Sequence, residues 1–326
     1  MRKKIVVLLA ALIIVLSYFT IVSATKAFRF ASELPASLSE MEDSVRIVLI
    51  TQELDTPFWN KVGKGAIQQA KKENVELEVW GSYGNNEDDF LKKMEIAIHS
   101  KVNGIIVQGL DTDEFKELTK IKAAFYGIPV ITVANDVPVE ESLRKTYVGS
   151  DQFFAGQMVA DQLIKEMGAA GEVIILRDEV QAYYQKERIA GIQNVLDNYP
   201  EVNIIIRGTE GTNEQVISTT QQLMNEAPRA TAFIAVNANY AGPMIQEIGR
   251  RTQVEPYHIY TFDDGVESTV LLEQGKLDGI LEQKPEEMGR GSVKWLVEWI
   301  SGKTVPLNSD GYLTETNMLT SDGETQ

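Results

Sequence analysis

The sequence predicts an α/β fold with two domains, each built on a parallel β-sheet, preceded by one N-terminal apolar helix. Short runs rich in Val and Ile alternate along the chain with amphipathic stretches, which is the pattern of doubly wound parallel sheets. About ten such runs in 326 residues fit two domains better than one. A longer apolar run close to the N-terminus accounts for the additional helix.

The N-terminal segment has the pattern of a membrane anchor. Positive charges at residues 2–4 precede an apolar run from Ile5 to Val22. This run fits the roughly 17–25 residues of a spanning helix better than the roughly 7–15 apolar residues of a cleavable signal. Because Val22-Ser23-Ala24 resembles a cleavage site, residues 1–24 are either an anchor or a removed signal, and the length favours the anchor. Residues 25–43 are predicted to be a stalk. The rest of the chain is expected to be extracytoplasmic, attached to the cell membrane or, after cleavage, secreted or periplasmic.

The predicted strands are almost continuously apolar, as expected for parallel strands covered on both faces. They are residues 45–51, 77–82, 104–109, 129–134, 146–150, 172–178, 202–208, 231–237, 258–264 and 277–283. The stretches between them have helical spacing, with Phe90, Met94 and Ile98 recurring on one face, for example. The body is therefore predicted to consist of strand–helix units throughout.

Polar and aromatic side chains collect in the loops that follow the predicted strands. In open parallel sheets, ligands bind beyond the carboxyl ends of the strands. These loops carry Thr56-Pro57-Phe58-Trp59, Asn135-Asp136, Asn237, Asp263-Asp264 and Gln283. Amides, carboxylates and aromatic rings in such positions indicate a binding site for a small polar ligand.

Composition and motifs argue against several other classes of protein. The formal net charge of −16 repels phosphate backbones, so nucleic acid is not an expected partner. The chain has no cysteine, which excludes disulfides, thiolate metal sites, a cysteine nucleophile and a lipoprotein anchor. Two histidines cannot by themselves form a histidine-rich metal site. Gly63-Lys64-Gly65 is only a fragment of a dinucleotide fingerprint, and neither a P-loop nor a nucleophile elbow occurs. The sequence predicts no catalysis, no cofactor and no metal.

Seven segments together resemble one protein family in their order and spacing. They are VLITQELDTPFW, GIPVITVAND, YVGSDQFFAGQMVADQLI, KERIAGIQNVL, AFIAVNAN, IYTFDDG and LDGILEQKPEEMG. From about Val45 to the C-terminus, the chain resembles the ribose-binding type of periplasmic sugar-binding proteins. These are type I solute-binding proteins of the periplasmic binding protein and repressor-core superfamily. The resemblance implies two Rossmann-like lobes joined by a hinge of three crossovers.

The implied lobes use discontinuous parts of the chain. The N-terminal lobe would comprise residues 44–148 and 284–304, and the C-terminal lobe residues 149–283 and 305–326. The crossovers would lie near residues 149–150, near 283–284 and around Val305. A ligand bound by both lobes would stabilise their closed arrangement, and closure would be the signal that a partner detects.

The resemblance also implies ligand roles for particular residues. Phe58 and Trp59, in the same loop as Thr56, would cover the apolar C–H face of a sugar ring. Arg188, on a predicted helix, matches the family's ligand arginine, whose planar fork can donate to two neighbouring hydroxyls. The family's amide, acid and amide at three later strand ends are matched by Asn237, Asp263 and Gln283.

Two positions depart from the family pattern. The family's acid usually follows the fourth strand directly, whereas two residues precede Asp136 here, so either Asn135 or Asp136 takes that position. The family often has an aromatic residue in the second lobe that is missing from residues 209–212, and Tyr183 or Tyr184 could supply that wall instead. These departures weaken an assignment to ribose itself.

The implied function is extracytoplasmic binding of a small sugar, which the closed protein presents to a membrane partner. That partner would be an ABC sugar permease or a sensor histidine kinase. An alternative is a receptor for a furanosyl signalling molecule. A sugar-responsive repressor shares the same core, but it needs an N-terminal DNA-binding module where this chain has an apolar run.

Overall fold

The computed structural model describes residues 15–18, 44–84, 86–180, 182–251, 257–263 and 265–321. Of the predicted N-terminal helix, only residues 15–18 fall within these ranges, and they are helical. The rest of the predicted anchor and the predicted stalk at 25–43 lie outside the described residues. Within the described part of the chain, no helix combines the length and the apolar character that a membrane crossing requires.

Strands and helices alternate through the described body. The strands are β1 Arg46–Thr51, β2 Glu76–Gly81, β3 Gly104–Gln108, β4 Val130–Val133, β5 Thr146–Gly149, β6 Ala170–Asp178, β7 Glu201–Thr209, β8 Ala232–Ala235, β9 His258–Phe262, β10 Gly279–Glu282, β11 Tyr312–Leu313 and β12 Asn317–Thr320. The helices are α1 Pro57–Glu73, α2 Glu87–His99, α3 Asp113–Glu117, α4 Val139–Ser142, α5 Gln152–Met167, α6 Tyr183–Leu196, α7 Asn213–Glu226, α8 Ala241–Arg251, α9 Val266–Glu273 and α10 Pro285–Ile300. A π-helical turn at Leu118–Ala123 extends α3, and a 3-10 turn at Ala238–Tyr240 precedes α8.

Each lobe is built on one six-stranded sheet. The first sheet has the order β11-β5-β4-β3-β1-β2, and its pairings are parallel. The second has the order β12-β10-β9-β8-β6-β7, in which the edge strand β12 runs antiparallel to β10. Each predicted strand overlaps one of β1 to β10, so the predicted two-lobed α/β fold with parallel sheets is confirmed. The sequence analysis did not predict β11 and β12.

Helices cover both faces of each sheet, which explains the continuous apolar runs. Every residue of β3, β4 and β8 is buried. In the second lobe, one hydrophobic cluster lies between the sheet and helices α5 and α6, and another lies on the opposite face against α7 and α8. Alternate residues of a central strand such as β6 therefore enter different cores, and neither face tolerates a polar side chain.

Two helices that begin at the carboxyl ends of strands, α1 and α5, have strong start signals. The Thr56 hydroxyl accepts a hydrogen bond from the Trp59 amide at 3.4 Å, and Pro57 occupies the first turn of α1. The Asp151 carboxylate caps α5 in the same way through the Phe154 amide at 2.9 Å. These caps fix where each helix leaves the carboxyl edge of its sheet.

Two helix pairs make backbone contacts through glycine. In the first lobe, a Cβ built on Gly65 of α1 would lie 2.0 Å from the Glu286 carbonyl oxygen, and one built on Gly289 of α10 would lie 2.0 Å from the Val62 carbonyl oxygen. In the second lobe, Gly156 of α5 approaches the Arg188 carbonyl oxygen of α6 equally closely. No larger residue fits at these positions without moving a helix.

The chain passes between the two lobes at three places. The chain leaves the first lobe after Gly149 and returns to it between β10 and α10. The predicted third crossing around Val305 is wrong, because β11 still pairs with β5 of the first sheet and the chain crosses only between Leu313 and Asn317. Arg144 and Thr146 hold this segment on the first lobe by donating to the carbonyl oxygens of Ser309 and Asn308, both at residues that we had assigned to the second lobe.

Candidate ligand-binding site

A pocket lies at the carboxyl ends of the strands, between residues of the two lobes. Its lining residues are Glu53, Thr56, Pro57, Phe58, Trp59, Lys61, Asn135, Tyr184, Arg188, Asn237, Ala238, Asn239, Asp263, Gly265 and Gln283. The cavity measures about 120 Å³, which is below the roughly 300–1,000 Å³ of pockets for drug-sized molecules. All the site residues predicted from the sequence line it, except Asp136.

Arg188 is the most deeply buried cation of the pocket, with 2% of its surface exposed. Its Nε donates to Gln152 Oε1 at 2.8 Å, and its Nη1 donates to the Val236 carbonyl oxygen at 2.8 Å. The guanidinium also lies over the Phe262 ring, 4.2 Å from its centre, and over the Tyr184 ring at 4.9 Å. These contacts hold the plane of the guanidinium fixed, while Nη2 faces the carboxylate of Asp263 at 3.7 Å.

Arg188 and three neighbouring side chains form a closed ring of polar contacts. Gln152, held by Arg188, donates to Gln283 Oε1 at 3.2 Å, and Gln283 donates in turn to the carboxylate of Asp263. The Asp263–Arg188 ion pair completes the ring. Gln152 follows the first chain crossing and Gln283 stands at the second, so this ring connects pocket-lining residues to the segments where the chain passes between the lobes. The sequence analysis did not identify Gln152.

Asp263 and Asn237 are oriented by the local backbone and by neighbouring side chains. Asp263 has φ +70°, a left-handed conformation that Asp and Asn tolerate better than most residues. The Asn237 side chain caps the 3-10 turn by accepting from the Asn239 amide at 3.1 Å and donates to Asp178 Oδ1 at 3.2 Å. Asp178 also accepts hydrogen bonds from Tyr240 and Gln185. These bonds fix the carboxylate that orients Asn237.

The first lobe supplies an aromatic wall. The rings of Phe58 and Trp59 lie 5.7 Å apart in an edge-to-face arrangement. The Trp59 indole N–H donates to Glu53 Oε2 at 3.2 Å, which fixes the ring. From the second lobe, Tyr184 lines the same pocket, whereas Tyr183 does not. Burial raises the pKa of the Tyr184 hydroxyl far above its ordinary value, so this ring contributes a neutral phenol.

Asp136 lies outside the pocket, and Asn135 lines it. Ala134 has φ +63°, so the chain turns sharply directly after β4. The carboxylate of Asp136 is then directed into the first lobe, where it accepts from Arg144 Nη2 at 2.6 Å and from the Thr132 hydroxyl at 2.6 Å. Because two residues separate the strand from Asp136, the pocket is lined by the amide of Asn135 and not by the carboxylate of Asp136.

An ion pair connects the lobes near this pocket. Lys186, on the same helix as Arg188, contacts Asp111 of the first lobe at 2.7 Å, and Asp111 is also 2.7 Å from Lys116. Because Lys186 is about half exposed, this pair is weak on its own and sensitive to salt. Its presence shows that the two lobes approach each other closely in this structure.

Comparison with known families identifies the fold. A family model described as a periplasmic binding protein domain matches residues 47–304, most of the chain. The chain belongs to this family. The resemblance stated from the sequence is therefore confirmed.

Individual relatives are similar over nearly their whole length. The ribose import binding protein RbsB of Bacillus subtilis is 22% identical over 259 residues, covering 79% of this chain and 83% of that protein. The crystal structure of GanP, a glucose-galactose binding protein from Geobacillus stearothermophilus, superimposes with a TM-score of 0.81 at 28% identity, covering 86% of this chain and 98% of GanP. A chain of the XylFII–LytSN complex gives a TM-score of 0.76 at 24% identity, covering 86% and 99% of the two chains.

Glu53 is a pocket residue that the sequence analysis missed. It follows β1 in this periplasmic binding protein and faces acids of the second lobe across the pocket. Burial raises the pKa of its carboxyl above the ordinary value of 4.5; the Trp59 hydrogen bond opposes this, and Asp178 and Asp263 add to it. Glu53 comes two residues after an apolar strand, and this position could have identified it from the sequence. The ligand-binding role was instead assigned to the aromatic residues that follow in the same loop.

Replacing Glu53 with glutamine is expected to stabilise the protein at neutral pH. A carboxyl group whose pKa is higher in the folded than in the unfolded protein destabilises the folded state once it is ionised. This destabilisation disappears as the pH falls through the ordinary Glu pKa, because the group is then protonated in both states. The gain in unfolding free energy of Glu53→Gln should therefore be present at about pH 7–8 and vanish at about pH 4. Urea unfolding across this range measures it.

Glu95 provides a control of opposite sign. Its hydrogen bond from Lys122 lowers the pKa of its carboxyl, so Glu95→Gln should lose stability at neutral pH. A Glu53→Gln variant that is less stable than the wild type at neutral pH would show that the carboxylate is favourably held in the pocket.

Proposed function

We propose that the chain is an extracytoplasmic sugar-binding protein whose two lobes close on one small polyhydroxylated ligand. The observation that carries this proposal is the buried Arg188 beside the partly exposed Asp263, facing an aromatic wall across one small pocket. This arrangement offers charged donors and acceptors on one side and an apolar surface on the other.

The chemistry of the pocket matches that of a monosaccharide. A carboxylate accepts strongly from hydroxyl donors, and a fixed guanidinium donates to hydroxyl oxygens in a planar fork. The rings of Phe58, Trp59 and Tyr184 can cover the C–H faces of a sugar ring. The amides of Asn135 and Asn237 add groups that both donate and accept. Because Asn135 lines the pocket, we expect it rather than Asp136 to contact the ligand.

Closure follows from the distribution of these groups over both lobes. Thr56, Phe58, Trp59 and Asn135 belong to the first lobe, and Tyr184, Arg188, Asn237 and Asp263 to the second. A ligand that contacts both sets binds the closed arrangement more tightly than the open one and shifts the equilibrium towards it. The Lys186–Asp111 pair is made only while the lobes are close together.

The names of the relatives support the ligand class and a binding role without catalysis. They are a ribose import binding protein and a glucose-galactose binding protein, and they name different sugars. The import protein supports an ABC sugar permease as the membrane partner. XylFII shares the fold and is found in a complex with a second protein, LytSN, which is compatible with a receptor partner such as a sensor kinase.

A ligand screen tests the proposal. The purified full-length chain is heated with individual pentoses, hexoses, polyols, inositols and furanosyl signal compounds. A ligand at about 100 times its dissociation constant should add about 2.7 kcal/mol of stability. The shift should disappear in Asp263→Asn, a variant chosen because Asn also tolerates the left-handed backbone. If no carbohydrate stabilises the protein, the proposal is wrong; a response confined to a furanosyl signal compound would favour the alternative receptor function.

The membrane anchor remains a prediction from the sequence, and we propose that the chain is tethered through residues 1–24. A tether would raise the effective concentration of the lobes at a membrane partner. We expect the protein in the membrane fraction of its cells, released by detergent and not by salt. N-terminal sequencing provides the decisive measurement, because a mature chain that starts near Thr25 and washes off membranes would show that the segment is a cleaved signal.

A further inference from the structure

A second cluster of chemically active side chains lies at the opposite edge of the second lobe, away from the sugar pocket. His258 begins β9 and Asp278 directly precedes β10, and these parallel neighbours start side by side. Glu166 lies in the last turn of α5, against the same edge. The three residues are far apart in the sequence, and only the fold brings them together.

Three potential metal-binding atoms converge in this cluster. His258 Nδ1 lies 3.7 Å from Glu166 Oε2 and 3.9 Å from Asp278 Oδ1, and the donor atoms of all three residues are within 4.8 Å of one another. Nδ1 is buried and makes no hydrogen bond with any described residue. A buried ring nitrogen between two carboxylates and without a hydrogen bond requires an explanation.

Both carboxylates are already oriented by other groups. The Tyr260 hydroxyl donates to Glu166 Oε2 at 2.5 Å, and the Ile259 amide donates to Asp278 Oδ2 at 2.7 Å. The second contact fixes the Asp278 carboxylate with Oδ1 on the side of the imidazole. Hydrogen bonds of this kind to ligating carboxylates are typical of metal sites, where they fix the direction of the ligand.

We propose that Glu166, His258 and Asp278 form a binding site for a divalent transition-metal ion, with Zn²⁺ as the best match. Zn²⁺ takes nitrogen and carboxylate ligands at about 2.0–2.2 Å in a tetrahedral arrangement. This geometry leaves ligand atoms roughly 3.4 Å from one another. The two distances from Nδ1 exceed this by a few tenths of an ångström, and the two carboxylates lie within 4.8 Å of each other. Side-chain rotations of Glu166 and Asp278 would bring the three ligand atoms to this spacing. A water molecule would complete the coordination.

The donor set also discriminates among cations. Mg²⁺ and Ca²⁺ prefer oxygen ligands throughout, whereas an imidazole suits zinc, copper, nickel and cobalt. The sequence analysis expected no metal because the chain has too few histidines for a histidine-rich site. A site with one histidine and two acids was not considered, since their spacing in the sequence gives no motif.

The bound ion would join three elements of the second lobe: the end of α5 and the starts of β9 and β10. It would therefore stabilise this lobe whether or not the sugar pocket is filled. The site is independent of the proposed function, because none of its ligands lines that pocket.

The chain contains two histidines, which gives the experiment a matched pair of variants. The tag-free full-length protein is titrated with Zn²⁺ in excess Mg²⁺, which occupies non-specific acidic sites. We expect one equivalent to bind and the melting temperature to rise by roughly 5 °C at saturation. His258→Gln should lose this response, and His99→Gln, at an exposed helix position, should keep it.

A second readout does not depend on stability. Co²⁺ in a tetrahedral site should give visible absorption bands that Zn²⁺ removes, in the wild type and in His99→Gln but not in His258→Gln. The inference is overturned if Zn²⁺ does not bind at one equivalent, or if His258→Gln binds it as tightly as His99→Gln does. Neither outcome depends on sugar binding, so the two proposals fail separately.

Discussion

Replacing Arg188 with methionine is expected to weaken ligand binding by at least about 100-fold, because a ligand would lose charged hydrogen bonds of about 1.5–3 kcal/mol each. The variant should also lose about 3 kcal/mol of stability. Methionine fills part of the volume between the Tyr184 and Phe262 rings, but it removes the hydrogen bonds that Arg188 donates to Gln152 and to the Val236 carbonyl oxygen, and the positive charge beside Asp263. Calorimetric titration with the sugar found in the screen, together with urea unfolding, measures both effects.

Arg188→Lys separates the two contributions. Lysine keeps the charge beside Asp263 and should recover part of the stability, but it lacks the planar fork that donates to Gln152, to Val236 and towards the ligand simultaneously. Its affinity should therefore stay well below that of the wild type. A folded Arg188→Met variant with unchanged affinity would show that the ligand does not contact this arginine, and the site would have to be reassigned.

A single methyl group at Gly65 is expected to lower the unfolding free energy by about 2 kcal/mol or more, in the upper part of the range for overpacking. The added Cβ would lie 2.0 Å from the Glu286 carbonyl oxygen of α10, so α1 and α10 must separate. Since the clash is with backbone, no side-chain rotation relieves it. The expected result is a lower urea midpoint for Gly65→Ala.

Gly63→Ala is the matched control, two residues earlier on the same helix. Its Cβ would meet only Val79 Cγ1, at the ordinary contact distance of 3.7 Å. Here the higher helix propensity of alanine should dominate, and the unfolding free energy of the variant should rise by about 0.5–1 kcal/mol. Equal effects of both substitutions would contradict the backbone contact between α1 and α10.

These glycines also show what the sequence alone could predict. Gly63-Lys64-Gly65 lies inside α1 and not at a strand–helix junction. Its second glycine nevertheless has a role that depends on α10, more than 200 residues later. Local patterns predicted ten of the twelve strands in the two sheets, because burial on both faces leaves continuous Val and Ile runs. They could not predict which helices touch.

Short edge strands and special backbone angles limited the prediction in other places. β11 has two residues, neither of them buried, and β12 has one buried residue in four. Neither has the continuous apolar run of the predicted strands, so the third crossing was placed too early. The positive φ of Ala134 decides that Asn135 lines the pocket and that Asp136 pairs with Arg144. A non-glycine residue in that conformation has no signature in the sequence. Glu53 and Gln152 were missed because their roles arise from contacts across the cleft and at the hinge.

The ring formed by Arg188, Gln152, Gln283 and Asp263 has a consequence for how mutations far from the ligand act. Two of its members are at the points where the chain passes between the lobes, and Gln152 also lies 3.5 Å from the Ala134 carbonyl oxygen of the first lobe. Under the proposed function, ligand affinity and the conformation of these connections would therefore be thermodynamically coupled, and such coupling is reciprocal. Substitutions that loosen the connections must alter affinity without touching the ligand, and a bound ligand must slow amide hydrogen exchange in the same connections by an equivalent free energy.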